Sequence, residues 1–143
     1  MTFKFIFDDR RFKVPLARFN KNLQRFVASQ RLKGAVDIIF INDRQMTKLN
    51  SQFKGKNRPT DVLAFNLADE TGTKYIEGEI YVDLQIAKRQ ARQYGSDYYE
   101  EIYRLCLHGL LHLLGYDDHD AKDKAKMWDI QESIIKGIFN GNE

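Results

Sequence analysis

All three histidines of the chain fall between His108 and His119, in the run HGLLHLLGYDDH. His108 and His112 are four residues apart inside an apolar segment, so a helix there sends both imidazoles out from one face, about one turn apart. Two neutral imidazoles placed this way form a bidentate clamp for a metal ion. Gly115, just past the last apolar residue, reads as the residue that ends such a helix and turns the chain. Asp117, Asp118 or His119 can then return toward the pair as a third ligand. Such a donor set suits one Zn²⁺ ion and leaves a fourth position for water, the arrangement of a catalytic site.

In the helix of zinc peptidases the residue after the first histidine is a glutamate that acts as general base; here it is Gly109. Peptidase chemistry therefore lacks its proton acceptor. Glycine at that position instead allows either a substrate or a neighbouring strand to come close.

The segments that must position this cluster follow from hydrophobic period. Phe3, Phe5 and Phe7 alternate with mostly polar residues as a first strand ending at Asp8-Asp9. Pro15 opens a helix with Leu16, Phe19, Leu23, Phe26 and Val27 at helical spacing, ending near Gly34. Ala35 to Asn42 is a β-branched, buried strand, and Asp43 is read as the N-cap of a helix carrying Met46, Leu49 and Phe53. Residues 54–60, KGKNRPT, form a loop. DVLAFNLA and YIEGEIYVD pair as a hairpin across the turn at 69–74, and Gly78 marks a bulge or a close approach.

A helix over Leu84 to Tyr94 closes at Gly95, and Ser96 or Asp97 caps the histidine helix. Asp120 and Asp123 begin a last helix with Met127, Ile130, Ile134 and Ile138 inward. The expected architecture is one α+β domain over residues 1–143: a four-stranded mixed sheet packed by helices, with the histidine helix central. Leu105, Cys106, Leu107, Leu110, Leu111, Leu113 and Leu114 surround that helix, so only a cleft can bring water to its histidines.

Composition narrows the setting. The lone Cys106 excludes a disulfide framework and, among leucines, reads as an inert buried thiol. No apolar run approaches the ~20 residues of a membrane span, and the charged, alternating start is unlike a signal peptide. A soluble, cytoplasmic protein is expected. Net charge is +3, but residues 1–60 carry 14 Lys or Arg against 4 Asp or Glu, and residues 61–143 carry 9 against 16. A basic half joined to an acidic half that holds the histidine cluster suits a polyanion guided to the site by one face.

HGLLHLLGYDDHD resembles the signature of the YbeY family of endoribonucleases, in which His-Gly-x-x-His-Leu-x-Gly-Tyr-Asp-His supplies three zinc-binding histidines. LNSQFKGKNRPTDVLAF, Leu49 to Phe65, resembles the family's other conserved segment, and GEIYVD resembles its Gly-Asp-Ile strand. Met127 and Glu132 fall where its final helix carries Met and Glu. The resemblance implies a metal-dependent nuclease of single-stranded RNA that matures ribosomal RNA, notably the 3′ end of small-subunit 16S RNA, and serves ribosome quality control. Its partners would be RNA and the ribosome or small subunit, with neither DNA nor membrane.

Two departures from the family pattern bear on the chemistry. The slot of the third histidine holds Asp118, with His119 one residue later. The spacing to Met127 favours Asp118 and imidazole chemistry favours His119; a carboxylate would lower the site's positive charge and its power to acidify water. The usual arginine after the LNxxF segment is Lys54, a point charge rather than a planar fork, which Arg58 in the same loop can offset. Lys54 and Arg58 are the residues expected to hold a phosphate and stabilise charge developing on it. Phe53, Tyr75 and Tyr116 are candidates for stacking on unpaired bases; Asp117, Asp118, metal-bound hydroxide and, more remotely, Glu79 are candidates for the general base.

Overall fold

The computed structural model of the chain describes residues 1–8, 13–69 and 73–139. Four strands and five helices follow in the order β1 (Thr2–Phe7), α1 (Leu16–Gln30), β2 (Lys33–Ile41), α2 (Asp43–Lys54), β3 (Val62–Asn66), β4 (Tyr75–Asp83), α3 (Leu84–Tyr94), α4 (Tyr98–Leu113) and α5 (Ala121–Phe139). One mixed sheet runs β1-β2-β4-β3, with β1, β2 and β4 parallel and β3 antiparallel to β4. This is the expected α+β layer. Asp9 and residues 70–72 of the hairpin turn lie outside the described residues.

Alternation along the strands divides the packing into two clusters. Phe40, Ile80 and Val82 point to the face covered by α1 and α4, where the Phe19 ring meets Phe5, Phe40, Tyr99 and Tyr103 edge-on at 5.8 to 6.1 Å. Ile39, Ile41 and Leu63 point to the other face and pack with Met46 of α2. Cys106 is fully buried, as its leucine neighbours imply, and burial pushes its thiol pKa up.

The α4 helix sits centrally because two glycines let it approach β4 closely. A Cβ on Gly109 would lie 2.8 Å from Ile80 Cγ2, and one on Gly78 would lie 2.5 Å from Phe65 O and 2.9 Å from Leu113. Gly109 thus serves helix packing against a strand.

Several boundaries differ from the periodicity reading. Helix α1 stops at Gln30 because Arg31 takes a left-handed conformation (φ 55°) and its amide, with that of Leu32, closes the last turn on Ala28 and Val27. β2 therefore begins at Lys33. The N-cap of α2 is Asn42, not Asp43: Asn42 Oδ1 accepts from Gln45 N–H while Gln45 Oε1 accepts from Asn42 N–H, a reciprocal box that Asp43 is one residue too late to make. On α5 the fully buried positions are Met127, Gln131 and Ile135, with Ile130, Ile134 and Ile138 only partly covered.

Asp83 joins β4 to α3 with its side chain buried. Its Oδ1 accepts from Gln85 and Ile86 N–H, and its Oδ2 has no conventional donor. Burial, reinforced by the neighbouring Asp43, raises its pKa from 3.8 to about 7, whereas Asp43 is held low by the Arg89 fork at 2.9 and 3.0 Å. The native state thus keeps a proton that the unfolded chain releases above pH 3.8, so this group's contribution to stability falls as pH rises from about 4 to 7. Asp83→Asn keeps the capping oxygen and supplies an N–H toward Asp43. It should raise Tm above wild type at pH 8, with the difference vanishing toward pH 4; thermal melts across pH check this.

Candidate metal centre and its cleft

Eleven of the sixteen residues of α4 are buried. Of the five part-exposed positions, Glu100, Arg104, His108 and His112 repeat every four residues and so form one stripe along the helix. Glu100, Arg104 and His108 of this stripe line a cleft of about 1190 Å³ between α4, the C-terminal end of α3 and the first turns of α5.

At the C-terminal end of the stripe the helix finishes in a Schellman turn. Gly115 N–H bonds to His112 O and Tyr116 N–H to Leu111 O, with Gly115 at φ 101°. The turn sends the chain back over the helix end, as the glycine position predicted. It brings Asp118 Oδ2 to 3.6 Å from His112 Nε2 and 3.9 Å from His108 Nε2, while the two Nε2 atoms lie 3.1 Å apart. Three donors bound to one Zn²⁺ at 2.0–2.1 Å in tetrahedral geometry are about 3.3 Å from one another, close to these spacings. Among the described residues this is the one His/Cys/Asp/Glu group that could hold a metal ion. The His119 imidazole is 87% exposed and lies 3.3 Å from Asp117 Oδ2, outside that group.

The outer nitrogens of both rings are committed to acceptors. Gln131 Nε2 donates to Glu132 Oε2 at 3.0 Å, which leaves Gln131 Oε1 facing His108; His108 Nδ1–H donates to it at 2.7 Å. His112 Nδ1–H donates to the Tyr116 carbonyl at 3.2 Å. Each neutral ring is thereby fixed in the tautomer whose Nε2 carries a lone pair. Burial, with a smaller contribution from His108, lowers the His112 pKa despite the opposing pull of Asp118, which favours the neutral ring. Two nitrogen lone pairs and a carboxylate converge with no hydrogen between them, an arrangement that a cation relieves.

Lys54 and Arg58 do not line this cleft. Lys54 ends α2 and Arg58 lies in the loop that leads to β3; the loop is held by Asn50 Nδ2–H donating to Arg58 O at 2.8 Å. Among the described residues neither side chain is in an ion pair. The loop ends at Asp61, which does line the cleft. Phe53, Tyr75 and Tyr116 are exposed, but none lines it. Glu79 alternates with Gly78 and Ile80 and so projects from the sheet face opposite α4, away from the histidines. Sequence reasoning missed Gln131, whose signal was a polar residue in the apolar stripe of α5, and missed that Glu100 and Arg104 extend the histidine stripe.

The family model described as Endoribonuclease YbeY matches residues 5–138. The chain belongs to the YbeY family. An Endoribonuclease YbeY from Persephonella marina is 41% identical over 72% of this chain and 69% of its own length. One from Thermotoga maritima is 32% identical over 87% of this chain and 81% of its own. A solution structure of a Thermotoga maritima protein superposes with a TM-score of 0.71 at 29% identity, covering 96% of this chain and 89% of that one. The family match therefore extends N-terminal to Leu49, where the first of the resembling motifs begins.

The tautomers can be checked directly. Imidazole ¹⁵N spectra of the metal-free protein at pH 8 should show His108 and His112 protonated at Nδ1. Protonation of both rings at Nε2 would contradict the bonds to Gln131 and Tyr116.

Proposed function

We propose that the chain is a zinc-dependent endoribonuclease that cuts single-stranded RNA in the cytoplasm. Its proposed role is ribosomal RNA maturation at the 3′ end of small-subunit 16S RNA, together with ribosome quality control on the ribosome or small subunit. Family membership supports the RNA-cleaving chemistry. The observation that carries the metal reading is the convergence of His108 Nε2, His112 Nε2 and Asp118 Oδ2, all acceptors. His108, His112 and Asp118 would hold the ion; we assign the third position to Asp118 rather than His119 because only the carboxylate is turned toward the pair.

Three protein donors leave a coordination position open, which favours catalysis over a purely structural zinc. When bound, Zn²⁺ supplies a Lewis acid for a phosphoryl oxygen and lowers the pKa of water. Gln131 and the Tyr116 carbonyl fix the ring orientations. Lys54, at the end of α2, and Arg58, on the loop that leads to Asp61 of the cleft, hold the phosphate and offset its developing charge. Helix α4 excludes water from all but the cleft side.

Zinc-loaded protein should cleave an unstructured oligoribonucleotide, and His112→Ala should abolish cleavage while leaving the far-UV spectrum and cooperative unfolding intact. Intact RNA after incubation with metal-replete wild type would reject the enzyme reading. In chelator competition, Asp118→Ala should lose zinc affinity, Gln131→Leu should lose about 10–100-fold through its hold on His108, and His119→Ala should match wild type. Binding of single-stranded RNA should weaken with salt, and Lys54→Ala or Arg58→Ala should each flatten the log–log slope by about 0.7.

A further inference from the structure

The cleft beside the histidines has contents that phosphate chemistry does not explain. Its walls carry the carboxylates of Asp61, Asp97, Glu100, Glu101, Asp129 and Glu132 against the cations Arg104 and Lys124, so away from a bound metal the balance of charge disfavours a phosphate. Arg104 is spent on three of them: Nε and Nη2 fork onto Glu132 at 2.8 and 3.0 Å, Nη2 also reaches Glu100 Oε2 at 3.3 Å, and Nη1 reaches Glu101 Oε1 at 3.4 Å. The second oxygen of Glu101 is buried without a donor, although that residue is only 2% exposed. On the same cleft stand Tyr94 and Trp128, 67% and 55% exposed. Large aromatics left in water beside unsatisfied acceptors suit a flat ligand that offers N–H groups on its edge.

We propose that this cleft is a subsite for one unpaired nucleobase, guanine in preference, stacked on Tyr94 and Trp128 with its N–H edge toward the part-exposed carboxylate of Glu100, beside Glu101. The inference rests on the RNA-cleaving reading and deepens it by naming how the strand is selected beside the metal donors His108 and Asp118, which line the same cleft. Guanine presents two adjacent donors, N1–H and the 2-amino group, to carboxylate oxygens. Uracil presents one N–H flanked by two carbonyls that carboxylates repel. A carboxylate-lined site therefore separates the two through a missing donor, the kind of difference that discriminates most strongly.

Trp128 is the single tryptophan, so its fluorescence reports the cleft without a label. Zinc-loaded wild type is titrated with guanosine monophosphate, uridine monophosphate and ribose 5-phosphate, none of which contains an internucleotide bond. Guanosine monophosphate should quench saturably, uridine monophosphate should bind about 10–100-fold more weakly, and ribose 5-phosphate should not quench. Tyr94→Leu should weaken guanosine monophosphate about 5- to 100-fold through loss of one stack. Glu100→Gln should reduce the guanine-to-uracil ratio.

Equal quenching by all three ligands, no quenching by any, or saturable quenching only by a lysine-rich peptide would overturn the subsite. Cleavage of RNA is scored separately on the same preparation. Cleavage without base-dependent quenching sinks the subsite alone, and base-dependent quenching without cleavage sinks the nuclease reading alone.

Discussion

A helix packed on most of its surface has one narrow stripe left for chemistry, and everything at this site depends on where that stripe falls. Along α4 it is Glu100, Arg104, His108 and His112 at four-residue intervals. The stripe is narrow because Gly109 and Gly78 bring α4 and β4 closer than side chains would permit. The same close approach fixes the height of His108 and His112 relative to the sheet, since Ile80 lies directly beneath Gly109. Rigidity of the two imidazoles is thus a consequence of core packing, and the partners of their Nδ1 atoms complete it.

The placement of Asp118 comes from a different kind of constraint. Nothing in the core holds Asp118; the Schellman turn at Gly115 does, by reversing the chain within three residues of the helix end. The reversal sets which of the three residues after Tyr116 faces inward. Asp118 turns to the pair, while Asp117 accepts from His119 N–H at 3.0 Å and its other oxygen lies beside the His119 ring. Side-chain chemistry alone would rank His119 first, whereas the backbone geometry turns the Asp118 carboxylate toward the pair.

That contrast explains how much the sequence disclosed. The i, i+4 histidines, the glycine stop and the apolar surroundings are local patterns, and they gave the clamp, the turn and the central helix. The sheet and its order of elements were legible for the same reason. The choice between Asp118 and His119 depends on backbone dihedrals at the turn, which residue types do not encode. Gln131 meets His108 across 23 positions of sequence, and the link from Arg104 to Glu132 spans 28, so neither is visible to a reading by periodicity. The cap of α2 was misplaced by one residue because Asn42 and Asp43 are both good capping residues and only the reciprocal bond with Gln45 separates them.

The charge division along the chain also takes on a spatial meaning. A carboxylate in place of a third imidazole lowers the charge of a loaded divalent centre by one unit, and the cleft beside it is acidic. Attraction for an RNA backbone must then come from elsewhere, and Lys54 at the end of α2 with Arg58 on the loop after it, in no ion pair among the described residues, are suited to it. In the function proposed here, the strand would meet two surfaces of opposite sign, with its phosphates toward Lys54 and Arg58 and a base turned into the carboxylate-lined cleft. Paired RNA, whose bases are stacked and bonded to each other, could satisfy the first surface and not the second. Preference for single strands would then follow from the separation of the two surfaces, without any contact that recognises a duplex in order to reject it.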